Sequence, residues 1–260
     1  SHRWTWGAHC DAKGKMLAAF RLIKHDDQLY LLMPKSLLEK HAAQLKKYAV
    51  FHKVTIEIMD VPLRGVYGDE ASNWLEKTYH LTTQDQGVYA HHDTIIVRDG
   101  LATIIISTQN NALDDPQDCL SHTLWQGLEI LKGYPNFEAQ HQEQFVPQML
   151  NLDHLGGICL TKGCYIGQET IARMTYRGGN KRALYLVHGP SHTPRHVGDT
   201  LEIQLESGFR KAGELLQVFY HDGYVVATLV MRHDIAYDAV LRFEGEDDST
   251  VRLHALPYQN

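Results

Sequence analysis

The sequence predicts an α+β fold in which two α/β modules are followed by a small antiparallel β-barrel. Three observations carry this prediction. Strand and helix patterns alternate as far as Gly133, glycine is concentrated in residues 156–179, and the chain after Ala183 holds short apolar or alternating runs without a helical stripe. Antiparallel barrels and sandwiches are built from such short runs separated by turns.

The first module begins with two predicted strands, over 15–24 and 28–33, around a polar turn. A helix follows Pro34, and Ser36 with Glu39 is typical of a capping box at its start. Apolar residues at helical spacing predict its packed face. That face is Leu38, Ala42, Leu45 and Ala49.

Alternation of apolar and polar residues predicts a half-buried strand over 54–58 at the end of this module. The second module is predicted from similar patterns, with Asp99-Gly100 as a hairpin signal and Asp115-Pro116 as a helix start. Its predicted elements are a strand at 62–67, a helix from Asp69 to Lys77, strands at 88–97 and 101–107, and a helix from Asp115 to about Lys132.

The two element orders, ββαβ and βαββα, each resemble part of a ferredoxin-like βαββαβ unit. The first order lacks its leading strand and helix, so we expect that a segment before Ser1 is missing or is replaced by another element. The predicted domains are residues 1–60 for the first module, 61–182 for the second module with the glycine-rich segment, and 183–260 for the barrel.

Composition narrows the class of protein. With 43% hydrophobic and 22% charged residues, the 260-residue chain is expected to be folded and soluble, and no apolar run is long enough to span a bilayer. A net charge of −6 argues against an extended nucleic-acid-binding surface but not against a local basic patch. The spacing of the four cysteines does not fit a disulfide framework, so we expect reduced thiols in the cytoplasm. The spacing of the histidines does not indicate a metal site.

The glycine-rich segment contains the candidate reactive thiol, Cys164. It lies just before a predicted helix over 168–176, whose N-terminal N–H groups favour an anion, and Lys162 adds positive charge. Alternatively, Cys164 is a small buried hydrophobe, as most cytosolic cysteines are. Cys159 is the weaker candidate, because its apolar neighbours are typical of a buried strand and its spacing from Cys164 is not C-x-x-C.

The run Lys162-Gly163-Cys164-Tyr165, followed by Gly167-Gln168-Glu169, resembles the K-G-C-Y-x-G-Q-E signature of the YgfZ family. Further segments along the whole chain resemble bacterial members of that family. They are residues 9–15, 46–51, 144–148, 155–158 and 177–184.

The resemblance implies a fold like that of the T-protein of the glycine cleavage system, with a central hole that accepts folate. It also implies tetrahydrofolate or a derivative as ligand, support of iron–sulfur cluster assembly or repair, and a role in tRNA modification, with iron–sulfur enzymes that thiolate tRNA among the partners. The family's motif cysteine matches Cys164, as a redox or transfer thiol, and its folate-contacting tryptophan matches Trp125. The remaining motif residues are Lys162, Gly163, Tyr165, Gly167, Gln168, Glu169 and Arg173.

This sequence departs from the family at Leu131, where relatives often carry a glutamate, and it lacks the family's leading segment. Leu131 favours an accessory protein over the alternative function, a folate-dependent aminomethyl transferase, whose chemistry requires a positioned carboxylate. A third reading is a tRNA-binding module. From the residues alone Trp125 is better interpreted as a core residue, because Leu124, Leu128 and Leu131 lie close by in the same helix. The basic residues of 173–182 either form a solvated face or attract the glutamate tail of folate or tRNA.

Overall fold

The computed structural model describes residues 3–82, 87–108 and 121–258. Within them the α-helices are α1 (Lys35–Ala49), α2 (Asp69–Tyr79), α3 (His122–Leu131) and α4 (Gln168–Arg177). The strands are β1 (Arg3–Cys10), β2 (Met16–His25), β3 (Gln28–Leu32), β4 (Leu63–Tyr67), β5 (Gly87–His91), β6 (Thr94–Asp99), β7 (Ala102–Ser107), β8 (Arg182–Pro190), β9 (Thr200–Leu205), β10 (Gly208–His221), β11 (Tyr224–Arg232), β12 (Leu241–Phe243) and β13 (Arg252–His254).

The chain divides into two compact units. One comprises Ser1–Trp6 and Phe20–Cys119, and the other comprises Gly7–Ala19 and Leu120–Asn260. The three-part domain division expected from the sequence stays a prediction.

The first unit is built on a four-stranded antiparallel sheet of order β4-β7-β6-β5, against which α2 packs through β4. The core of this unit gathers buried aliphatic side chains from β2, β5, β6 and β7, with Trp4 at its margin. The Trp4 indole N–H donates to the carbonyl oxygen of Arg98 at 3.2 Å, and the Arg21 guanidinium lies over the rings of both Trp4 and Trp6. The β1 strand that carries these tryptophans was absent from the sequence prediction.

Several predicted elements of this unit are confirmed: the strands β2 and β3, the strand β4, the helix α2 and the Gly100 hairpin between β6 and β7. The single strand predicted over 88–97 was wrong, because the chain turns at His92-Asp93 and forms the hairpin β5–β6. His92 adopts a left-handed backbone, with φ of 51°, which a two-residue hairpin turn of this kind requires.

The predicted capping box was also wrong. Pro34 occupies the N-cap position of α1, which places Ser36 at the second helical position instead of at the N-cap. The packed face of α1 includes Ala42 as predicted but is centred on Leu37 and His41.

The strand predicted over 54–58 does not form. The segment is extended coil that joins no ladder among the described residues, and Val54 and Ile58 are exposed. A segment of alternating apolar and polar residues forms a strand only where a sheet edge is available to pair with it. The helix start predicted at Asp115-Pro116 lies outside the described residues, and Ser121 has an extended backbone, so α3 begins at His122.

The second unit contains the predicted barrel. Its sheet has the order β12-β9-β10-β11-β8-β13, and the two edge strands are joined where Val251 bridges Leu241. The helix α3 packs on β10 and β11 through a core made by Ile130, Leu186 and Leu256. A 3₁₀ turn at Pro147–Leu150 packs against both α4 and β8. This arrangement confirms the α+β class with a C-terminal antiparallel barrel.

Candidate functional site

The octet Lys162–Glu169 forms a loop that ends in the first turn of α4. Gly167 is the N-cap residue, with φ of 81°, a left-handed conformation that glycine adopts without strain. The Tyr165 N–H donates to Oε1 of Gln168 at 3.2 Å, and the Gln168 N–H donates to the Tyr165 carbonyl oxygen at 3.2 Å. This reciprocal pair satisfies donors at the helix start as a capping box does, and it fixes the residue that follows Cys164.

The octet packs against the turn between β1 and β2. A Cβ placed on Gly167 would lie 2.5 Å from the carbonyl oxygen of Asp11 and 2.8 Å from Cα of Gly14. A Cβ on Gly14, which has φ of 76°, would lie 2.9 Å from Cβ of Thr170. The two backbones therefore approach each other at a distance that only glycine allows.

The turn itself is held by the Asp11 side chain. Its Oδ1 accepts the N–H of Lys13 at 2.9 Å and that of Lys15 at 2.8 Å, a pattern in which a short polar side chain replaces backbone partners. The Lys15 ammonium donates to the carbonyl oxygen of Gln144 at 2.9 Å. Three of the segments that carried the family resemblance thus meet in one place.

Cys164 lies exposed on this loop, which overturns the alternative of a buried hydrophobe. It precedes the first helical residue by four positions, so it is near the N-terminus of α4 in sequence but does not cap it. Lys162, two residues earlier, places its Nζ 4.6 Å from the centre of the Tyr165 ring. This cation–π contact orients a positive charge within the same loop.

Cys159 departs from the sequence prediction of a buried strand residue. It is exposed and lies in coil, because Gly156 and Gly157 precede it and the chain does not enter a sheet here. Hydrogen bonding to the Thr161 hydroxyl, with Sγ to Oγ1 at 3.5 Å, and to the N–H groups of Thr161 and Lys162 lowers the pKa of its thiol. Donors aimed at a sulfur favour its thiolate form.

Cys10 lies at the end of β1, close to the octet. Burial raises the pKa of its thiol to about 12, with a further rise from Asp11 and a partial offset from Lys162. Burial also raises the pKa of the Tyr165 phenol, and Cys10 and Cys159 add to that rise, so both thiols are near the phenol. Cys10 is therefore a structural thiol, and Cys119 lies outside the described residues.

The remaining motif residues occupy α4. Glu169 accepts a hydrogen bond from Arg173 at 2.7 Å, an i,i+4 pair on the helix surface. The inner side of α4 is anchored by Gln148, which is buried and donates through Nε2 to the Ile171 carbonyl oxygen at 2.8 Å and to the Thr175 hydroxyl at 3.0 Å. Gln148 was not among the predicted site residues, although it belongs to a segment that resembles the family.

Trp125 is placed on α3, a different element from the octet, and is half-buried. Leu131, at the end of the same helix, is 44% exposed and carries no polar group.

Glu129 lies one helical turn after Trp125, on the same helix face, and is 4% exposed. Its Oε2 accepts a hydrogen bond from Asn136 at 3.0 Å. Sequence reasoning missed this carboxylate, because its position in an apolar helix gave no polar pattern to notice.

Among the residues that the structure describes, no three His, Cys, Asp or Glu side chains are grouped closely enough to hold a metal ion. Over the same residues, no helix is both long and apolar enough to cross a membrane.

Comparison with known proteins places the chain in a family. The family model described as "YgfZ, beta-barrel domain" matches residues 180–247, which contain strands β8 to β12. The protein named tRNA-modifying protein YgfZ from Vibrio atlanticus (strain LGP32) is 35% identical over 98% of this chain and 80% of its own length. The chain belongs to the YgfZ family. Relatives of the same name from Hamiltonella defensa (95% of this chain, 77% of the relative) and Yersinia enterocolitica (96% and 80%) are each 36% identical.

The structure of this YgfZ family member resembles that of the glycine cleavage system aminomethyltransferase T from Bartonella henselae. The TM-score is 0.61 over 98% of this chain and 76% of that one, at 13% sequence identity. At this identity the likeness shows the fold alone, and it confirms the T-protein-like architecture that the resemblance implied.

Proposed function

We propose that this YgfZ family member is a folate-binding accessory protein of tRNA modification, in which Cys164 is the redox or transfer thiol. The observation that carries the proposal is an exposed Cys164 on a loop whose backbone is fixed directly after the thiol. Tyr165 is bonded reciprocally to Gln168, and Gly167 is packed against the Asp11–Lys15 turn. A thiol that must meet a partner molecule needs both exposure and a defined position.

The proposed clients are iron–sulfur enzymes, including those that thiolate tRNA, in the cytoplasm. Support comes from the family's tRNA-modifying relatives and from the resemblance carried by the octet. Lys162, two residues before Cys164, supplies a positive charge to the loop that carries the thiol.

The proposed ligand is tetrahydrofolate or a derivative, and Trp125 of α3 is the group that fits it. The half-buried Trp125 would hold the flat pterin ring by stacking, whereas Glu129, one turn further on, is buried and bonded to Asn136. When bound, the folate would supply one-carbon chemistry. Leu131 provides no carboxylate at the end of this helix, which favours the accessory role over the aminomethyl transferase.

Tetrahydrofolate binding is tested by calorimetric titration of the protein and of Trp125 variants. Trp125→Ala is expected to weaken binding by about tenfold, while Trp125→Phe retains most of the affinity because a ring remains to stack. Trp74→Phe is the control, since Trp74 is also half-buried but lies in the first unit. Unchanged affinity in Trp125→Ala would exclude the proposed folate site.

The thiol role is tested in cells that lack their own YgfZ protein, by measuring thiolated tRNA. Cys164→Ser is expected to leave the level low, whereas the wild-type chain and Cys159→Ser restore it. Cys159 is a matched control because it is an exposed thiol of the same loop. If Cys164→Ser fully restored the level of thiolated tRNA, the thiol would have no role in the proposed function. The titration with tetrahydrofolate would still test the folate site separately.

A further inference from the structure

The outer face of α4 carries an exposed aromatic ring between two cations. Ile171 is buried and anchors the inner face, whereas the side chain of Arg173 is 61% exposed and Tyr176 is 75% exposed. Arg177, beside Tyr176, is also exposed. Positions 173, 176 and 177 share one face of a helix, so the three side chains form a continuous strip.

The chain after α4 carries two more exposed cations, Lys181 and Arg182. Gly178 ends the helix with φ of 62°, and the Arg182 N–H donates to Oδ1 of Asn180 at 3.2 Å. The Lys181 carbonyl oxygen accepts the N–H of His233 at 2.9 Å. The backbone is therefore fixed where the exposed side chains of Lys181 and Arg182 begin. We call Arg173, Tyr176, Arg177, Lys181 and Arg182 the α4 surface.

The charge of this surface is opposite to that of the whole chain. Residues 162–182 contain five basic side chains and one acidic side chain, in a chain of net charge −6. The acidic side chain, Glu169, is engaged by Arg173, and Asp234, near the Lys181 backbone, is engaged by Arg232. Arg177, Lys181 and Arg182 are the other cations in the segment that carries Tyr176. An exposed tyrosine ring beside cations combines a stacking plane with groups that can contact phosphates.

The partner that fits both properties is a short single-stranded nucleic acid. Unpaired bases stack on tyrosine and arginine planes while the phosphates between them meet cations, and RNA is recognised mainly in such unpaired loops. A long duplex would extend beyond the cations and meet a chain that is acidic elsewhere. We propose that the α4 surface binds a single-stranded RNA loop, with a base stacked on Tyr176 and phosphates on Arg177, Lys181 and Arg182.

This proposal is independent of the folate and thiol roles, because it uses neither Trp125 nor Cys164. It also differs from a general affinity for tRNA, since it names unpaired nucleotides as the feature that is recognised. Relatives named tRNA-modifying protein make an RNA partner consistent with the family, and the α4 surface would contact it directly.

The test is fluorescence anisotropy with two labelled RNAs of equal length, a stem-loop with a seven-nucleotide loop and a fully paired duplex. The full chain is expected to bind the stem-loop more tightly than the duplex. Tyr176→Ala should weaken stem-loop binding about tenfold and leave duplex binding unchanged, whereas Tyr176→Phe keeps most of the affinity. Tyr237→Ala is the matched control, because Tyr237 is 63% exposed but lies outside the α4 surface.

The cations are tested through the salt dependence. Arg177→Gln should lower the slope of log affinity against log salt by about one for the stem-loop, because one phosphate contact is lost. Equal binding of the two RNAs, or a Tyr176→Ala effect no larger than that of Tyr237→Ala, would overturn the proposal. So would a poly-glutamate peptide that competes as well as the stem-loop does, because the surface would then be one for acidic proteins.

Discussion

At the residue scale, two exposed thiols with different surroundings lie close together in the sequence, Cys164 within the octet and Cys159 three residues before it. Cys164 follows Gly163 and precedes the fixed Tyr165, whereas Cys159 has its sulfur directed at the Thr161 hydroxyl and at two backbone N–H groups. Sequence reasoning ranked Cys159 below Cys164 because Ile158 and Leu160 suggest a buried strand. Apolar neighbours do not bury a residue when adjacent glycines keep the chain out of a sheet.

The lowered pKa of Cys159 predicts a distinct alkylation profile. Since its thiolate persists to lower pH than an ordinary thiol, its rate with iodoacetamide should reach half its maximum below pH 9. Thr161→Val removes the hydroxyl, raises the pKa again and should slow alkylation at pH 7 by roughly twofold, because the rise in intrinsic nucleophilicity offsets part of the lost thiolate. Site-resolved mass spectrometry between pH 6 and pH 9 measures both profiles.

Cys10 provides the internal control in the same sample. Its thiol is buried and has a raised pKa, so it should stay unmodified over this range in wild type and in Thr161→Val. A Cys159 profile that does not move in Thr161→Val would show that the hydroxyl has no part in lowering the pKa.

At the element scale, the octet depends on a close contact between two glycines that lie far apart in the sequence. The sequence alone predicts a helix that begins after Gly167 and a strand that begins after Gly14, and both predictions are local. It does not predict that the two turns touch, because close backbone approach leaves no side-chain pattern. The strand predicted over 54–58, which does not form, shows the same limit. Its alternation is a local pattern, but a strand forms only if another strand is available to pair with it.

Replacing Gly167 by alanine is expected to destabilise the protein by about 2–4 kcal/mol. The new Cβ would meet the carbonyl oxygen of Asp11 at 2.5 Å, and φ of 81° adds the strain of a left-handed residue. Urea unfolding measures the loss. The same variant should change the rate at which Cys164 is alkylated, because the Asp11–Lys15 turn no longer holds the loop.

Gly163 and Gly178 supply graded controls for this prediction. Gly163→Ala adds a Cβ into open space and should change the free energy of unfolding by less than about 0.5 kcal/mol. Gly178→Ala meets no neighbour but has φ of 62°, so it should cost about 1 kcal/mol from strain alone. A Gly167→Ala cost no greater than that of Gly178→Ala would mean that the contact with the turn adds nothing.

At the scale of the whole molecule, the sequence predicted most of what depends on local pattern. Strands β8 to β12, α2, α4 and the identity of the octet followed from local sequence pattern and motif spacing, whereas β13 was not predicted. Long-range assembly did not follow, including the Leu241–Val251 bridge that joins the barrel edges and the buried Glu129 on α3. Such contacts depend on which elements pack together, and the local pattern of a single sequence does not specify that.

The shared core of α3 and the barrel predicts that the element carrying Trp125 unfolds together with the barrel. Leu186 is fully buried in β8 and packs with Ile130 of α3 and with Leu256, so Leu186→Ala should leave a cavity that costs about 2–5 kcal/mol. With 5-fluorotryptophan in the chain, the ¹⁹F resonance of Trp125, assigned through Trp125→Phe, should shift its urea midpoint as far as the far-ultraviolet circular dichroism does. Leu205→Ala is the control, because Leu205 is 51% exposed in β9 and its removal should change the free energy of unfolding by less than about 0.5 kcal/mol. The opposite outcome is a Trp125 midpoint that does not change while Leu186→Ala lowers the stability of the barrel. It would show that α3 holds its position without the shared core, so that the proposed ligand-contacting helix is independent of the barrel on which it packs.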